Sequence, residues 1–278
     1  MSGVLDGYMS SELDDLLRIA RDTASAAGAL ALQRRREGVE VANTKSTPLD
    51  VVTHADKETE ALIRSMLSDA RPNDGFLGEE SGGGDGTSGL TWVVDPIDGT
   101  VNYLYGIPSW SVSIAVVEGE ADPLSWTALA AAVINPTNEE IFTAARGRGA
   151  YLGETRIHVN EEVPLEGALV GTGFAYSVPS RTAQLEVLNE LLPRVRDVRR
   201  IGSAALDLCS VACGRLDAYY ERGLQPWDQA GGALIAAEAG ATVIGAARRP
   251  ANHELTLAAV PGLAASLLKI VSDDAPVS

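Results

Sequence analysis

Residues 92–100 have the sequence WVVDPIDGT, in which an apolar run ends at two carboxylates, Asp95 and Asp98. The run predicts a strand, and Pro96 and Gly99 predict a rigid turn at its end. Two carboxylates fixed there suit Mg²⁺, which prefers oxygen ligands in near-octahedral geometry and keeps positions open for water and phosphate oxygens. If a helix begins after Gly99, its backbone N–H groups can also receive an anion. The stretch therefore predicts phosphate chemistry.

Two distant segments each add a carboxylate at the edge of a predicted element. Glu79 lies in Gly78-Glu79-Glu80, directly after the apolar pair Phe76-Leu77. Asp228 lies in Pro226-Trp227-Asp228, which opens a helix-like run that continues to Ala239. A turn without chemical function is the competing interpretation of residues 95–99, because Asp, Pro and Gly all favour turns. Three acidic edges in one chain favour convergence on a metal cluster.

Six ordered motifs together resemble the inositol monophosphatase family of Mg²⁺-dependent, lithium-sensitive sugar phosphatases. The resemblance spans roughly residues 11 to 270 and is strongest to the bacterial inositol-1-monophosphatase branch, including its actinobacterial members. The motifs that carry it are Lys45–Asp56, Gly78–Ser81, Trp92–Asn102, Ile201–Ala205, Asp217–Gly223 and Trp227-Asp228.

This resemblance implies a layered α+β and α/β fold, an α-β-α-β-α sandwich with the active site between its halves. It implies a Mg²⁺-dependent phosphomonoesterase that uses two to three ions and metal-activated water to convert inositol 1-phosphate to inositol and phosphate. Related activities on fructose 1,6-bisphosphate, histidinol phosphate or 3′-phosphoadenosine 5′-phosphate stay open. A role of another class, binding to the transcription machinery, stays open as well. The family also suggests a homodimer.

By the same resemblance, five residues are expected to hold the ions. The first site takes Glu79, Asp95 and the carbonyl of Ile97. The second takes Asp95, Asp98 and Asp228, and Glu79 assists a weaker third. Only a backbone oxygen is asked of Ile97, so its side chain is free to pack.

Catalytic and substrate roles are implied in the same way. Glu79, Thr100 and Asp56 are expected to serve catalysis, with Asp56 and Thr100 relaying a proton from the attacking water. Lys45 and Asp50 match the family's mobile loop near the metals. The residues expected to contact substrate are Asp98, Gly99, Thr100, Gly202, Ser203, Ala204, Glu221 and Asp228.

Several of these residues also have a purely structural interpretation. Thr53-x-x-Asp56 is typical of a capping box, and Thr100 is typical of the first turn of a helix. Ser203 is a candidate helix cap, and Glu221 a candidate solvated acid. The structural and catalytic roles of Asp56 can hold at once.

Composition limits the class of protein. With 278 residues, 45% of them hydrophobic, the chain has ample material for a core. The net charge of −16 argues against direct nucleic-acid binding, which needs a basic surface. The sequence lacks both the roughly 18 consecutive apolar residues of a membrane span and a basic signal region, so a cytoplasmic protein is expected. Cys209 and Cys213 have no His at ligand spacing and are interpreted as core residues.

Periodicity divides the chain into residues 1–160, with helices and an antiparallel sheet, and residues 161–278, a more parallel α/β half. Ser81 to Gly89 is predicted as a loop. Helices are predicted at 11–36 (capped by Ser10 or Ser11), 55–69, 181–192, 204–213, 227–239 and 261–271. Strands are predicted at 111–117, 127–134, 140–145, 150–159, 169–172, 217–220, 241–244 and 255–259.

Overall fold

The computed structural model of the chain describes residues 2–39, 41–44 and 51–272. Its helices are α1 Ser2–Glu37, α2 His54–Ala70, α3 Thr100–Tyr105, α4 Val178–Leu191, α5 Ala204–Ala212, α6 Pro226–Glu238 and α7 Pro261–Val271. Within the described ranges, no helix combines the length and apolar character that crossing a membrane requires.

In the described part of the chain, the strands form three sheets. The first ten are β1 Val41–Thr44, β2 Val51–Thr53, β3 Gly75–Gly78, β4 Gly82–Gly84, β5 Leu90–Asp98, β6 Ser111–Glu118, β7 Thr127–Asn135, β8 Glu140–Ala145, β9 Gly149–Leu152 and β10 Thr155–Ile157. The remaining five are β11 Leu169–Thr172, β12 Asp197–Arg199, β13 Ala218–Glu221, β14 Thr242–Ile244 and β15 Thr256–Ala259. Their orders are β1-β2, β10-β9-β8-β7-β6-β5-β3-β4 and β12-β11-β13-β15-β14.

Side chains along β5 alternate between the two faces of the eight-stranded sheet, and their contacts show the order of the layers. Trp92 and Val94 are buried against α1 and α2, whereas Val93 is buried on the opposite face against α5 and α6. Those two helices also contact the five-stranded sheet, whose far face is covered by α4 and α7. The order is therefore α1/α2, eight-stranded sheet, α5/α6, five-stranded sheet, α4/α7. This confirms the α-β-α-β-α sandwich.

Helix positions follow the sequence expectations closely, with one correction. Helix α2 begins with the predicted capping box, and α5 begins with Ser203 as its cap. Helix α1, however, begins at Ser2 rather than after a cap at Ser10 or Ser11. The apolar spacing that predicted it starts only at Leu13, so the earlier turns carried no amphipathic signal. Cys209 is fully buried and Cys213 half-buried, which confirms them as packing residues.

The sheets correct the expectations in more places. Gly82–Gly84, expected in a loop, pairs with β3 through its backbone. The single strand predicted at 150–159 is the hairpin β9–β10. The first large sheet is not purely antiparallel, because β3 pairs with β5 in parallel. The second has parallel pairs at β11–β12 and β11–β13, but β13–β15 and β14–β15 are antiparallel. A division into two domains at residue 160 stays a prediction.

Candidate active site

The end of β5 turns sharply between its two aspartates. Pairing with β6 is regular up to Asp95, breaks at the following two residues and resumes at Asp98. The Ile97 N–H donates to Asp95 Oδ1 at 3.1 Å, which holds the turn. Gly99 then has φ = +94°, and a Cβ there would lie 2.9 Å from the Gly202 carbonyl oxygen. Glycine is needed for both reasons, and it brings β5 against the segment that starts α5.

Asp98 lies at the N-terminus of α5. Its carboxylate accepts hydrogen bonds from Ser203 Oγ at 2.5 Å, Ala205 N at 2.8 Å and Ala204 N at 3.3 Å. A carboxylate is stabilised at this end of a helix by the exposed N–H groups and the helix dipole. The two halves of the chain are thus joined through a residue predicted to bind metal. The sequence did not reveal these contacts, which link residues more than a hundred positions apart.

The remaining predicted ligands reach the same cleft from other elements. Glu79 follows β3, and its N–H donates to the Val94 carbonyl at 3.3 Å. Asp228 lies in the first turn of α6, where its Oδ2 accepts from Gln225 N at 2.7 Å. Together they line a cleft of about 650 Å³. Of the predicted site residues, Glu79, Asp95, Ile97, Asp98, Gly99, Thr100, Gly202, Ala204, Glu221 and Asp228 line it.

Ser203 and Asp56 do not line the cleft but support residues that do. Ser203 is 1% exposed and donates to Asp98. Asp56 is also 1% exposed, and Thr100 Oγ1 lies 3.3 Å from its Oδ1. The same Thr100 hydroxyl lies 3.1 Å from the Ile97 carbonyl, so its single proton can serve one acceptor at a time. Lys45 and Asp50 lie outside the described residues.

The cleft carboxylates raise one another's pKa values. Loss of hydration raises the pKa of Asp95 well above its usual range, and the charges of Glu79, Asp98 and Asp228 raise it further. Asp228 has a strongly raised pKa for the same reasons, desolvation first and then Glu79 and Asp98. Burial also raises the pKa of Asp98, although its hydrogen bonds from α5 oppose the shift. Such mutual repulsion favours either protonation or a bound cation.

The carboxylates lie along one cleft but are not arranged around a single point as metal ligands would be. Within the described parts of the chain, no three His, Cys, Asp or Glu side chains are placed to hold a metal ion as they stand. Asp95 and Asp98 instead turn toward backbone N–H groups. Buried carboxylates take such donors because an unsatisfied charge is costly. The donor set itself consists of hard oxygens, the type that Mg²⁺ prefers.

Asp56 has a different environment. Its Oδ2 accepts from the N–H of Thr53 at 2.8 Å and from the Thr53 hydroxyl, which confirms the capping box. Burial raises the pKa of Asp56 to about 7, since the Thr53 hydrogen bonds only partly oppose it and Glu79 and Glu80 add to it. The carboxyl can therefore exchange a proton near neutral pH.

Glu221, at the end of β13, also lines the cleft and accepts a hydrogen bond from the Tyr219 hydroxyl. Burial raises the pKa of Glu221 to about 7, opposed by that hydrogen bond and by the charge of Arg200. It is therefore not a solvated acid. One further carboxyl, Asp207 of α5, also lines the cleft and was missed. The available signal was a lone charge inside the apolar helix sequence AALDLCSVA.

Comparison with known proteins identifies relatives over nearly the whole chain. The model of the inositol monophosphatase family matches residues 12–273. A Mycobacterium tuberculosis protein named inositol-1-monophosphatase SuhB is 46% identical, over 91% of this chain and 92% of its own. A Haemophilus influenzae protein named Nus factor SuhB is 39% identical, over 83% and 85%.

Solved structures agree. That of inositol monophosphatase from Anabaena is 32% identical, covers 96% of this chain and 98% of its own, and superimposes with a TM-score of 0.81. Sequence and fold thus lead to one assignment, which confirms the resemblance on which the site was predicted. The chain belongs to the inositol monophosphatase family, a family of phosphatases.

Proposed function

We propose that this chain is a Mg²⁺-dependent phosphomonoesterase that hydrolyses inositol 1-phosphate to inositol and phosphate. The observation that carries the proposal is the group of four carboxylates, Glu79, Asp95, Asp98 and Asp228, delivered to one cleft by the ends of β3 and β5 and the start of α6. Asp95 and Asp228 have pKa values raised first by loss of hydration and then by their acidic neighbours. Cations placed among them would relieve that repulsion.

The chemistry of these donors fits Mg²⁺. Glu79, Asp95 and the Ile97 carbonyl would hold the first ion, Asp95, Asp98 and Asp228 the second, and Glu79 would assist a third. When bound, such ions neutralise charge on the phosphate, lower the pKa of water and stabilise the leaving oxygen. Asp95 Oδ1 accepts the hydrogen bond from Ile97 N at 3.1 Å. The two hydrogen bonds of 2.8 Å or less that Asp98 accepts from Ser203 and Ala205 both go to its Oδ2. The other carboxylate lone pairs would be the ones to hold an ion.

Thr100 and Asp56 would take up the proton of the attacking water. The Thr100 hydroxyl lies on the cleft wall, and behind it the buried Asp56 carboxylate is 3.3 Å away. With Asp56 ionised, Thr100 donates to it and leaves its own oxygen free to accept a proton from the attacking water. Asp56 is held in place by the Thr53 capping box, so the capping and catalytic roles support each other.

Recognition of a polyol is assigned to Glu221 and the start of α5. Glu221 can accept a hydrogen bond from a ring hydroxyl, and Ala204 places the start of α5 beside it in the cleft. The name of the M. tuberculosis relative agrees with inositol 1-phosphate as substrate. One buried hydrogen bond contributes only about 1 kcal/mol net, so the related sugar and nucleotide phosphates are the alternatives to test.

Phosphate release tests the proposal directly. Purified protein stripped with a chelator is titrated with Mg²⁺ in the presence of inositol 1-phosphate, fructose 1,6-bisphosphate, histidinol phosphate and 3′-phosphoadenosine 5′-phosphate. We expect Mg²⁺-dependent release that is fastest with inositol 1-phosphate. Faster release from another ester at equal concentration would reassign the substrate, and equal activity after chelation would remove the metal from the proposal.

A second candidate function comes from the H. influenzae relative, which is named a Nus factor. By analogy, the chain would bind a component of the transcription machinery. A pull-down with wild-type and Asp228→Asn protein distinguishes the two functions, because a binding role survives loss of a cleft carboxylate. Capture of RNA polymerase components by both proteins, without phosphatase activity in the wild type, would favour the second function.

Three finer expectations complete the proposal. We expect a homodimer, to be measured by light scattering, and a cytoplasmic location, to be measured by cell fractionation. We also expect Li⁺ to inhibit at the second ion site, between Asp98 and Asp228. Full activity at high millimolar Li⁺ with intact Mg²⁺ activation would contradict that assignment.

A further inference from the structure

Besides the predicted metal ligands, the cleft contains a carboxyl group for which the proposed mechanism has no use. Asp207 is 1% exposed, yet it lines the cleft. Its Oδ1 is buried and has no hydrogen-bond partner. Buried polar atoms without partners are rare, because each one destabilises the folded chain. An unpaired carboxyl oxygen at the wall of a binding cleft points to a partner supplied by the ligand.

The position of Asp207 is fixed by α5. Its N–H donates to the Ser203 carbonyl at 2.9 Å in the first turn, so the helix cap sets where its side chain starts. Ala204 lies three residues earlier and also lines the cleft. Residues three apart share one helix face, so Ala204 and Asp207 together form the cleft side of α5. Ala204 is too small to separate a ligand from Asp207.

Two glycines place Asp207 beside Glu221. A Cβ on Gly171 would lie 3.6 Å from Asp207 Oδ1 and 3.2 Å from the Tyr219 ring. A Cβ on Gly173 would overlap the Glu221 carboxylate. Gly171 and Gly173 are two residues apart on one face of β11 and its extension, so the two acid groups lie on the order of 7 Å apart. Two neighbouring ring hydroxyls with hydrogen bonds of about 2.8 Å on each side can span such a gap.

We propose that Asp207 is a second polyol-binding group, which hydrogen-bonds the ring hydroxyl next to the one held by Glu221. The cleft would then select phosphate monoesters that carry two adjacent hydroxyls on the ring. This rests on the proposed phosphatase function and adds a specificity residue to it. Burial, with the charges of Glu221 and Asp98, raises the pKa of Asp207 to about 8, opposed by Arg200. A protonated carboxyl at neutral pH can both donate to a hydroxyl and accept from it.

A structural role is the competing explanation, because an acid in the first turn of α5 also complements the helix dipole. The two roles differ in what an apolar replacement does. Asp207→Leu keeps the branched shape of the side chain, with somewhat larger methyl groups in place of the oxygens, and removes all hydrogen bonding. If the carboxyl serves only the ligand, removing an unpaired buried group leaves the Tm of the free protein unchanged or raised. If it stabilises the helix, the Tm falls.

The experiment compares two esters, inositol 1-phosphate and cyclohexyl phosphate, which has the ring without its hydroxyls. For Asp207→Leu we expect kcat/KM on inositol 1-phosphate to fall about tenfold, mainly through KM, with little change on cyclohexyl phosphate. Asp207→Asn, which keeps a donor and an acceptor, should recover most of the loss. The matched control is Asp217→Asn, since Asp217 is buried outside the cleft and its carboxylate accepts from Leu169 N and Asn160 Nδ2. It should lower the Tm without changing the ratio between the two esters.

Equal losses of kcat/KM on both esters, or no loss on either, would overturn the role of Asp207. The proposed phosphatase function would still stand if the wild-type protein shows Mg²⁺-dependent activity. Should Asp207→Leu fail to fold, Asp207→Ala decides, because it also removes the hydrogen-bonding group and adds no volume. If Asp207 is purely structural, Asp207→Ala gives no change in KM specific to the polyol. A wild-type chain that hydrolyses cyclohexyl phosphate but not inositol 1-phosphate would refute the polyol substrate and this inference together.

Discussion

The starts of α2 and α6 use the same local motif. Each helix has an aspartate three residues after its cap, and each aspartate accepts a hydrogen bond from the cap N–H: Asp56 from Thr53 at 2.8 Å and Asp228 from Gln225 at 2.7 Å. Both aspartates belong to the proposed catalytic machinery. Capping alone therefore does not distinguish their roles.

The surroundings of Asp56 and Asp228 do distinguish their roles. Asp56 is buried and receives two hydroxyl groups, from Thr53 and Thr100, and its pKa is raised only to about 7. Asp228 is half-buried, and loss of hydration, followed by the charges of Glu79 and Asp98, raises its pKa well above the usual range. An acid surrounded by donors is suited to take and return a proton. An acid surrounded by like charges is suited to bind a cation.

The largest effect is expected from substituting Asp228, the aspartate at the start of α6. Asp228→Asn keeps the shape of the cap but removes the charge, so turnover should fall by more than the 10–100-fold typical of residues that only support metal ligands. The Tm of the metal-free protein should rise, because one of several repelling carboxylates is gone. Phosphate release under Mg²⁺ titration and thermal unfolding measure the two effects.

Asp197→Asn is the control, since Asp197 pairs with Arg199 on the surface, and both quantities should stay near the wild-type values. Near-normal turnover of Asp228→Asn at saturating Mg²⁺ would take Asp228 out of the metal site. The parallel variant Asp98→Asn should lower turnover similarly and also lower the Tm, because Asp98 interacts with the N-terminus of α5.

The next prediction concerns Asp56, the aspartate at the start of α2, and its partner Thr100. Thr100→Ala, Asp56→Asn and the double variant should each lose about 10²-fold or more in kcat, with similar losses in all three, because groups that act as one relay are not additive. The Mg²⁺ concentration for half-activation should change less than kcat. A double-mutant cycle on kcat measures this, and multiplicative losses would show that the two residues act independently.

The pH profile sharpens the comparison. Asp56 is ionised only above its pKa of about 7, so at saturating Mg²⁺ kcat should fall about tenfold for each pH unit below that value. The same acid limb should appear with inositol 1-phosphate and cyclohexyl phosphate, because Asp56 serves the water rather than the sugar. A limb seen only with inositol 1-phosphate would assign it to Glu221, whose pKa is also about 7.

The sequence allowed both capping acids to be placed, because Thr53-x-x-Asp56 and Pro226-Trp227-Asp228 are local signals that the folded chain retains. The hydrogen bonds from Ala204 and Ala205 to Asp98 were not predictable, since they depend on how two distant segments meet. Pairing of Gly82–Gly84 with β3 was missed because glycines carry no side-chain pattern. Metal and substrate roles came from the family resemblance, and their residue assignments stay predictions.

The smallest expected effect comes from Thr53, which separates the cap from the relay. Thr53→Ala removes the cap hydroxyl and should cost about 1 kcal/mol in the free energy of unfolding. It also removes a hydrogen bond that lowers the pKa of Asp56, so the acid limb should move to higher pH while kcat on the alkaline plateau stays close to wild type. Asp122→Ala, which removes an exposed acceptor for Leu124 N far from the cleft, should leave the limb unmoved. If Thr53→Ala destabilises the protein without moving the limb, the capping box does not tune Asp56, and the two helix starts differ only in which charges surround them.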